Sequence, residues 1–303
     1  MTTPTQGAGT TEAVESAEAV ESAEAVKTAE AVETAEAADP GARHDLGPVT
    51  RTFLAVLWRD LYTTTRRPTA FLLQVIVQPL LLFFVFGKVL GEAGFTKGDF
   101  GATLLPGVMA LNAFLVALEN TAMPLIMDFS WSGEIEDRLL APIPGELVAV
   151  AKSAYGTLCG LFAGLVMAPV GFLVLGTTGW PLAAWPGVLL ILVLGAATGA
   201  ALGLMLGTIV SPDRIGVTFA IVMAPVTFTG SVQYPWSSLG HLRWFQVISA
   251  INPLTYVSEG LRAATLSGPP SSIPLWLDAL VLLSALAVTA VIGIRGFMSR
   301  AIG

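Results

Sequence analysis

The chain has 303 residues, 54% of them hydrophobic and 12% charged, with a mean hydropathy of +0.73. A soluble domain carries about twice that charge, so the composition excludes an ordinary water-soluble protein. The net charge of −7 belongs to the residues before Gly41, which hold nine acids and one base; the remainder carries 13 acids and 14 bases and offers no basic face for a nucleic acid.

Residues 1–48 read as an acidic low-complexity arm. Glu12 to Asp39 repeat with a period of six as SAEAVE, SAEAVK, TAEAVE, TAEAAD. Six residues turn a helix by about 600°, so Val14, Val20, Val26 and Val32 spiral around the axis instead of forming a stripe. Without an apolar face to bury, the arm is expected to be disordered or transiently helical, as a spacer or as a docking arm for a basic partner. The start of the sequence has neither the basic nor the apolar region of a signal peptide, so the first span is expected to act as the insertion signal.

Val49 to Arg67 combine Phe53, Leu54, Val56, Leu57, Leu61 and Tyr62 with Arg51, Arg59, Asp60, Arg66 and Arg67. The spacing gives one apolar face, which suits a helix lying flat in the cytoplasmic interface with its arginines at the headgroups.

From Pro68 onward six apolar stretches dominate: Thr69–Leu90, Leu104–Met127, Leu147–Leu175, Trp185–Val210, Gly216–Val232 and Leu275–Ile294. Each has 17 to 29 residues, and a bilayer core takes about 20 helical residues to cross. An all-α integral membrane fold with six transmembrane helices follows. With the amino terminus inside, ten Lys and Arg of the short joints lie on the inner side and four (Lys88, Lys97, Arg243, Arg262) on the outer side, which places both termini in the cytoplasm. The seven tryptophans fall at or near span ends, as interfacial anchors do.

Polar residues inside the spans are few. Gln74 and Gln78 lie one turn apart in the first; Asn112, Glu119 and Asn120 lie in the second. Polar groups at such depth are costly and face a protein interior or a wet path. These five are candidates for a translocation path, the alternative being hydrogen bonding between helices. In the fourth span Gly195, Gly199, Gly203 and Gly207 make a smooth strip for close helix contact. Cys159 is the only cysteine, and His44 and His241 lie far apart, so neither a disulfide nor a Cys/His metal site is expected. No G-x-x-x-x-G-K-[ST] phosphate loop occurs, so ATP energy would have to come from another subunit.

Two polar segments remain. Between the second and third spans runs Gly133-Glu-Ile-Glu-Asp-Arg-Leu-Leu-Ala-Pro-Ile-Pro144. Glu134 to Leu140 can form a short helix with charge on one side and Ile135, Leu139 and Leu140 on the other, stopped by Pro142 and Pro144. Before the last span, Asn252 can cap a helix with Pro253 at its first position, Tyr256 and Glu259 share a face, and Glu259 can pair with Arg262. This charged stretch is too broken to span alone and suits a re-entrant, outward-facing hairpin.

The flat helix, the six spans, the G-E-I-E-D-R-L-L-A-P-I-P joint and the Asn252-Pro-Leu-Thr-Tyr-Val-Ser-Glu-Gly-Leu-Arg262 run together resemble the permease subunit of a type-2 ATP-binding-cassette exporter. The resemblance covers Val49 to Ser299 and is nearest to bacterial drug- and antibiotic-export permeases of the daunorubicin-resistance type, with polysaccharide and teichoic-acid exporters as cousins. It implies a multi-pass subunit of the bacterial plasma membrane, not itself an enzyme, paired with a second permease copy or paralogue. It also implies a separate ATPase that carries the ATP and magnesium, this chain binding no cofactor. Glu134, Ile135, Glu136, Asp137, Arg138 and Leu139 would form the coupling helix, with Arg59 and Asp60 on the connecting helix beside it. The mostly apolar spans suit an amphipathic small molecule, drug or lipid as cargo. Rival classes are thinner: an ion-driven secondary transporter would want several buried charges, and an intramembrane enzyme would want grouped His, Asp, Glu or Ser at one face.

Overall fold

The computed structural model describes residues 46–66, 68–94, 100–129, 145–177, 179–266 and 273–302, and among them it is all helical. The proposed coupling segment, Glu134 to Leu139, lies outside the described residues, as does most of the acidic arm. The chain divides between Pro48 and Val49, and the architecture below is that of the second unit.

The helices in chain order are α1 (Leu46–Thr65), α2 (Pro68–Leu82), α3 (Phe100–Met127), α4 (Gly145–Leu175), α5 (Trp185–Ile209), α6 (Ile215–Thr229), α7 (Arg243–Ile251), α8 (Pro253–Thr265) and α9 (Leu275–Ile302). The rod of α2 continues through a π-helical stretch, Phe83–Val89, to Glu92. Five of these rods are long and apolar enough to cross a bilayer: Phe71–Glu92, Phe100–Met127, Gly145–Leu175, Leu182–Ile209 and Leu275–Arg300. The fifth predicted stretch gives only the 15 residues of α6, about 22 Å of helix at 1.5 Å per residue. It ends before its apolar run does because the chain turns at Gly230 and Ser231, the latter held buried in the left-handed region at φ 51°.

α3 is the pillar of the unit, buried continuously from Leu104 to Leu118. Small residues let its neighbours come close. On α4, a Cβ at Gly160 would stand 2.3 Å from the Ala113 carbonyl oxygen; on α5, Cβ atoms at Gly199 and Gly203 would stand 2.4 Å from the carbonyl oxygens of Phe114 and Leu118. Of the glycine strip read from the sequence, Gly199, Gly203 and Gly207 thus face α3, while Gly195 faces Val257 of α8; contact without a side chain maximises packing between apolar rods.

α9 lies along α5. Its Arg300 donates to the carbonyls of Thr208 and Val210, both at 3.1 Å, and so fills acceptors that a helix end leaves empty. Large apolar side chains face outward on α2 and its π-helical continuation (Leu73, Leu81, Phe84), α6 (Val217, Ile221, Phe228) and α9 (Leu280, Leu283, Val288). Such a surface has no stable place in water. The chain is a multi-pass membrane protein.

Candidate functional site

Three polar arrangements interrupt this apolar body. The first is a cavity of about 660 Å³ between α2, α3 and α6, lined by Gln74, Glu119, Asn120, Met123, Pro124, Met127, Asp128 and Phe219. Its size lies in the range of small-molecule sites, and its wall mixes apolar surface with a few polar groups, as such sites do. Gln74 donates to Glu119 Oε2 at 3.0 Å, and Asn120 returns its amide to the Val116 carbonyl of its own helix at 2.9 Å. Of the five path candidates, Gln74, Glu119 and Asn120 thus meet at one cavity. Gln78 and Asn112 sit beside it, on a cleft of about 40 Å³ that also touches Gln74 and Glu119.

Asn112 is buried, and its amide bridges three helices by donating to Val75 of α2 and Ala163 of α4, both at 3.1 Å.

The second arrangement is an ion cluster at the end where α1, the close of α3 and the start of α4 meet. Lys152 Nζ lies 3.0 Å from Asp128 Oδ2 and 3.4 Å from Asp60 Oδ2, with all three side chains nearly hidden. One turn on, Thr64 of α1 and Tyr155 of α4 share a hydrogen bond of 2.5 Å. Asp60, named above beside Arg59 for its place on α1, is turned into the protein, whereas Arg59 is exposed. On the outer side of α1, Leu54, Trp58 and Tyr62 form an exposed row at four-residue spacing. Neither Lys152 nor Asp128 stands out in the sequence, since both lie close to the polar joint between the second and third spans. The usable signal was a lone lysine within the apolar run Val148-Ala-Val-Ala-Lys152, where a charge needs a partner.

The third arrangement is at the opposite end. Asn252 caps α8 by accepting from the Leu254 N–H at 2.9 Å, and its amide donates to Val226 and Thr229 of α6, both at 2.8 Å. Pro253 stands at the first helical position, and the Tyr256 hydroxyl donates to the Ala250 carbonyl at 2.8 Å. Arg262 is 2% exposed and spends its guanidinium on three elements: Thr103 O at 3.1 Å, Val232 O at 2.8 Å and Glu259 Oε1 at 2.7 Å. Glu259 also accepts from the Trp236 N–H at 2.8 Å. This network fixes the α7–α8 pair against α3 and α6. Asp278, in the first turn of α9, is buried too, and both of its oxygens lack a hydrogen-bonding partner among the described residues. No group of three or more His, Cys, Asp or Glu able to hold a metal occurs among the described residues, and Cys159 is buried and unpaired.

The family pattern of the ABC-2 type transporter matches residues 51–266. Inner membrane transport permease YadH of Escherichia coli strain K12 is 27% identical over 199 residues, 62% of this chain and 74% of its own. A transport permease of Cyanophora paradoxa, ycf38, is 28% identical over 226 residues, 69% and 72% of the two chains. Nodulation protein J of Sinorhizobium fredii strain NBRC 101917 / NGR234 is 26% identical over 245 residues, 78% and 90%. The match takes in α1, the cavity helices, the Lys152 cluster and the Arg262 network, and with it this chain belongs to the ABC-2 type transporter family as a multi-pass membrane permease.

Proposed function

We propose that this chain is the permease subunit of an ATP-driven exporter, and that it works in the bacterial plasma membrane beside a separate ATPase and a second permease copy or paralogue. The observation that carries this reading is the cavity at Gln74, Glu119 and Asn120, set between the helices of a body that belongs to a transporter family. Its mixed lining suits an amphipathic cargo: a drug-like small molecule or a lipid. Saccharide cargo, as for polysaccharide and teichoic-acid exporters, is the second reading, favoured by the Gln and Asn side chains at the same cavity.

In this reading α6 is the fifth of the six spans, its shortness met by thinning of the bilayer around it. α1 is the connecting helix, lying in the cytoplasmic interface with Trp58 toward lipid. α7 and α8 form the re-entrant hairpin on the outer side. Both termini are cytoplasmic, and Glu134 to Leu139 dock on the ATPase. ATP binding draws the ATPase pair together; the permease pair then exchanges one packing for another, and the docked partner supplies the free energy that biases that choice.

Purification of the tagged chain from its native membranes tests the reading. An ATP-binding-cassette ATPase is expected to co-elute, and alanine at Glu134, Glu136, Asp137 and Arg138 is expected to release it. Transport by the chain alone in ATP-free vesicles, driven by an ion gradient, would refute the reading.

A further inference from the structure

Lys152 is one cation held between two carboxylates that belong to different parts of the molecule. Asp128, 3.0 Å away, lies in the wall of the cavity. Asp60, 3.4 Å away, lies on α1. A single ammonium satisfies both only while α1 and the end of α3 keep their present spacing. If they separate, Lys152 must follow one of them, because a buried charge stripped of its partner is strongly unfavourable. Lysine suits this exchange, being a compact charge on a flexible four-carbon stem. The Thr64–Tyr155 hydrogen bond ties α1 to α4 one turn beyond Lys152, so α1 has a natural tendency to keep Lys152 with it.

The geometry points to Lys152 as a positioning residue that couples α1 to the cargo cavity: when α1 shifts, Lys152 stays with Asp60 and leaves Asp128, which then presents its charge to the cavity. This rests on the exporter reading, in which α1 and the cavity are two ends of one stroke. The structure holds Lys152 shared; Lys152 on Asp60 alone would be the second of the two discrete arrangements that a transmitting element needs.

The test uses the complex with its co-purifying ATPase, in a Cys159→Ala background carrying Met123→Cys as a cavity reporter. The rate of reaction with a water-soluble maleimide is measured with and without Mg-ATP plus vanadate. Trapping is expected to change the rate about fivefold or more, the lower end of couplings between sites. Lys152→Met is expected to abolish that change while nucleotide is still trapped, and Lys152→Arg to preserve it. Should Lys152→Met fail to assemble, the joint change Asp60→Asn, Asp128→Asn, Lys152→Met removes the three charges together; it is expected to assemble and to show no response.

A nucleotide response of background size in Lys152→Met or in the triple variant overturns the inference alone, as does a background reporter indifferent to trapped nucleotide. Absence of any ATPase from the purified complex overturns the exporter reading and the inference with it.

Discussion

Asn112 stands in for the hydrogen that Pro79 lacks. In an α-helix the N–H of residue 79 would bond the carbonyl of Val75, and proline has no N–H to give. The Asn112 amide reaches that same carbonyl at 3.1 Å from the neighbouring helix. Proline and asparagine thus form a matched pair across α2 and α3, and the break in one helix becomes a tie between two.

Asn112→Ala is expected to lower the stability of the purified chain by about 1–3 kcal/mol, the cost of leaving buried acceptors unfilled. In a Pro79→Ala background the backbone N–H returns to Val75 and the same change is expected to cost less. Thermal unfolding in detergent of the two singles and the double measures the coupling. Strict additivity would separate Asn112 from Pro79.

Arg262 is expected to be the most sensitive side chain at its end of the protein. Arg262→Met leaves Glu259 buried without its cation and should cost about 3–5 kcal/mol. Gly107→Ala should fail for a different reason at the same place, since its Cβ would stand 2.0 Å from Val232 O and 2.7 Å from Arg262 Nη2. Folded yield and melting temperature check both; yields equal to wild type would mean that the staple is dispensable.

Side chains on the α5 strip should push α5 from α3. Gly199→Val places atoms where the Phe114 carbonyl already stands, whereas a Cβ at Gly216 meets nothing within 4 Å. The first is expected to lose folded protein and Gly216→Ala to be silent, as read by size-exclusion profiles. Equal tolerance at the two positions would contradict the close packing.

Much of this was readable in the sequence. Apolar runs set the five long rods, because in a bilayer length and hydropathy alone decide what spans. The Asn252-Pro253 cap and the Glu259–Arg262 pair followed from spacing within one helix. The end of α6 did not, because the turn there is held from afar in sequence, by Ser258 on the Gly230 carbonyl and Arg262 on the Val232 carbonyl. Nor did the Lys152 cluster: its members come from three helices, and a lysine near a polar joint looks like a surface charge until α1 is laid over it. The Asn112 tie was equally hidden, since only the packed structure shows which carbonyl a proline has left empty and what lies opposite.

Glu119→Gln tests the cavity. It keeps the shape and a bond to Gln74 but removes the charge, and is expected to lower cargo-stimulated ATP turnover of the complex several-fold, about 1 kcal/mol of lost interaction. Unchanged export and turnover would leave Glu119 as a helix-bonding residue only.

Coupling to a cytoplasmic ATPase requires the segment between α3 and α4 to lie on the inner side of the membrane. A single cysteine placed there, Glu136→Cys in the Cys159→Ala background, can be probed with a membrane-impermeant maleimide on intact cells and on inverted vesicles. Labelling of the vesicles and protection in the cells are expected. Labelling on intact cells would put the segment outside, beyond the reach of a cytoplasmic ATPase, and would contradict that coupling.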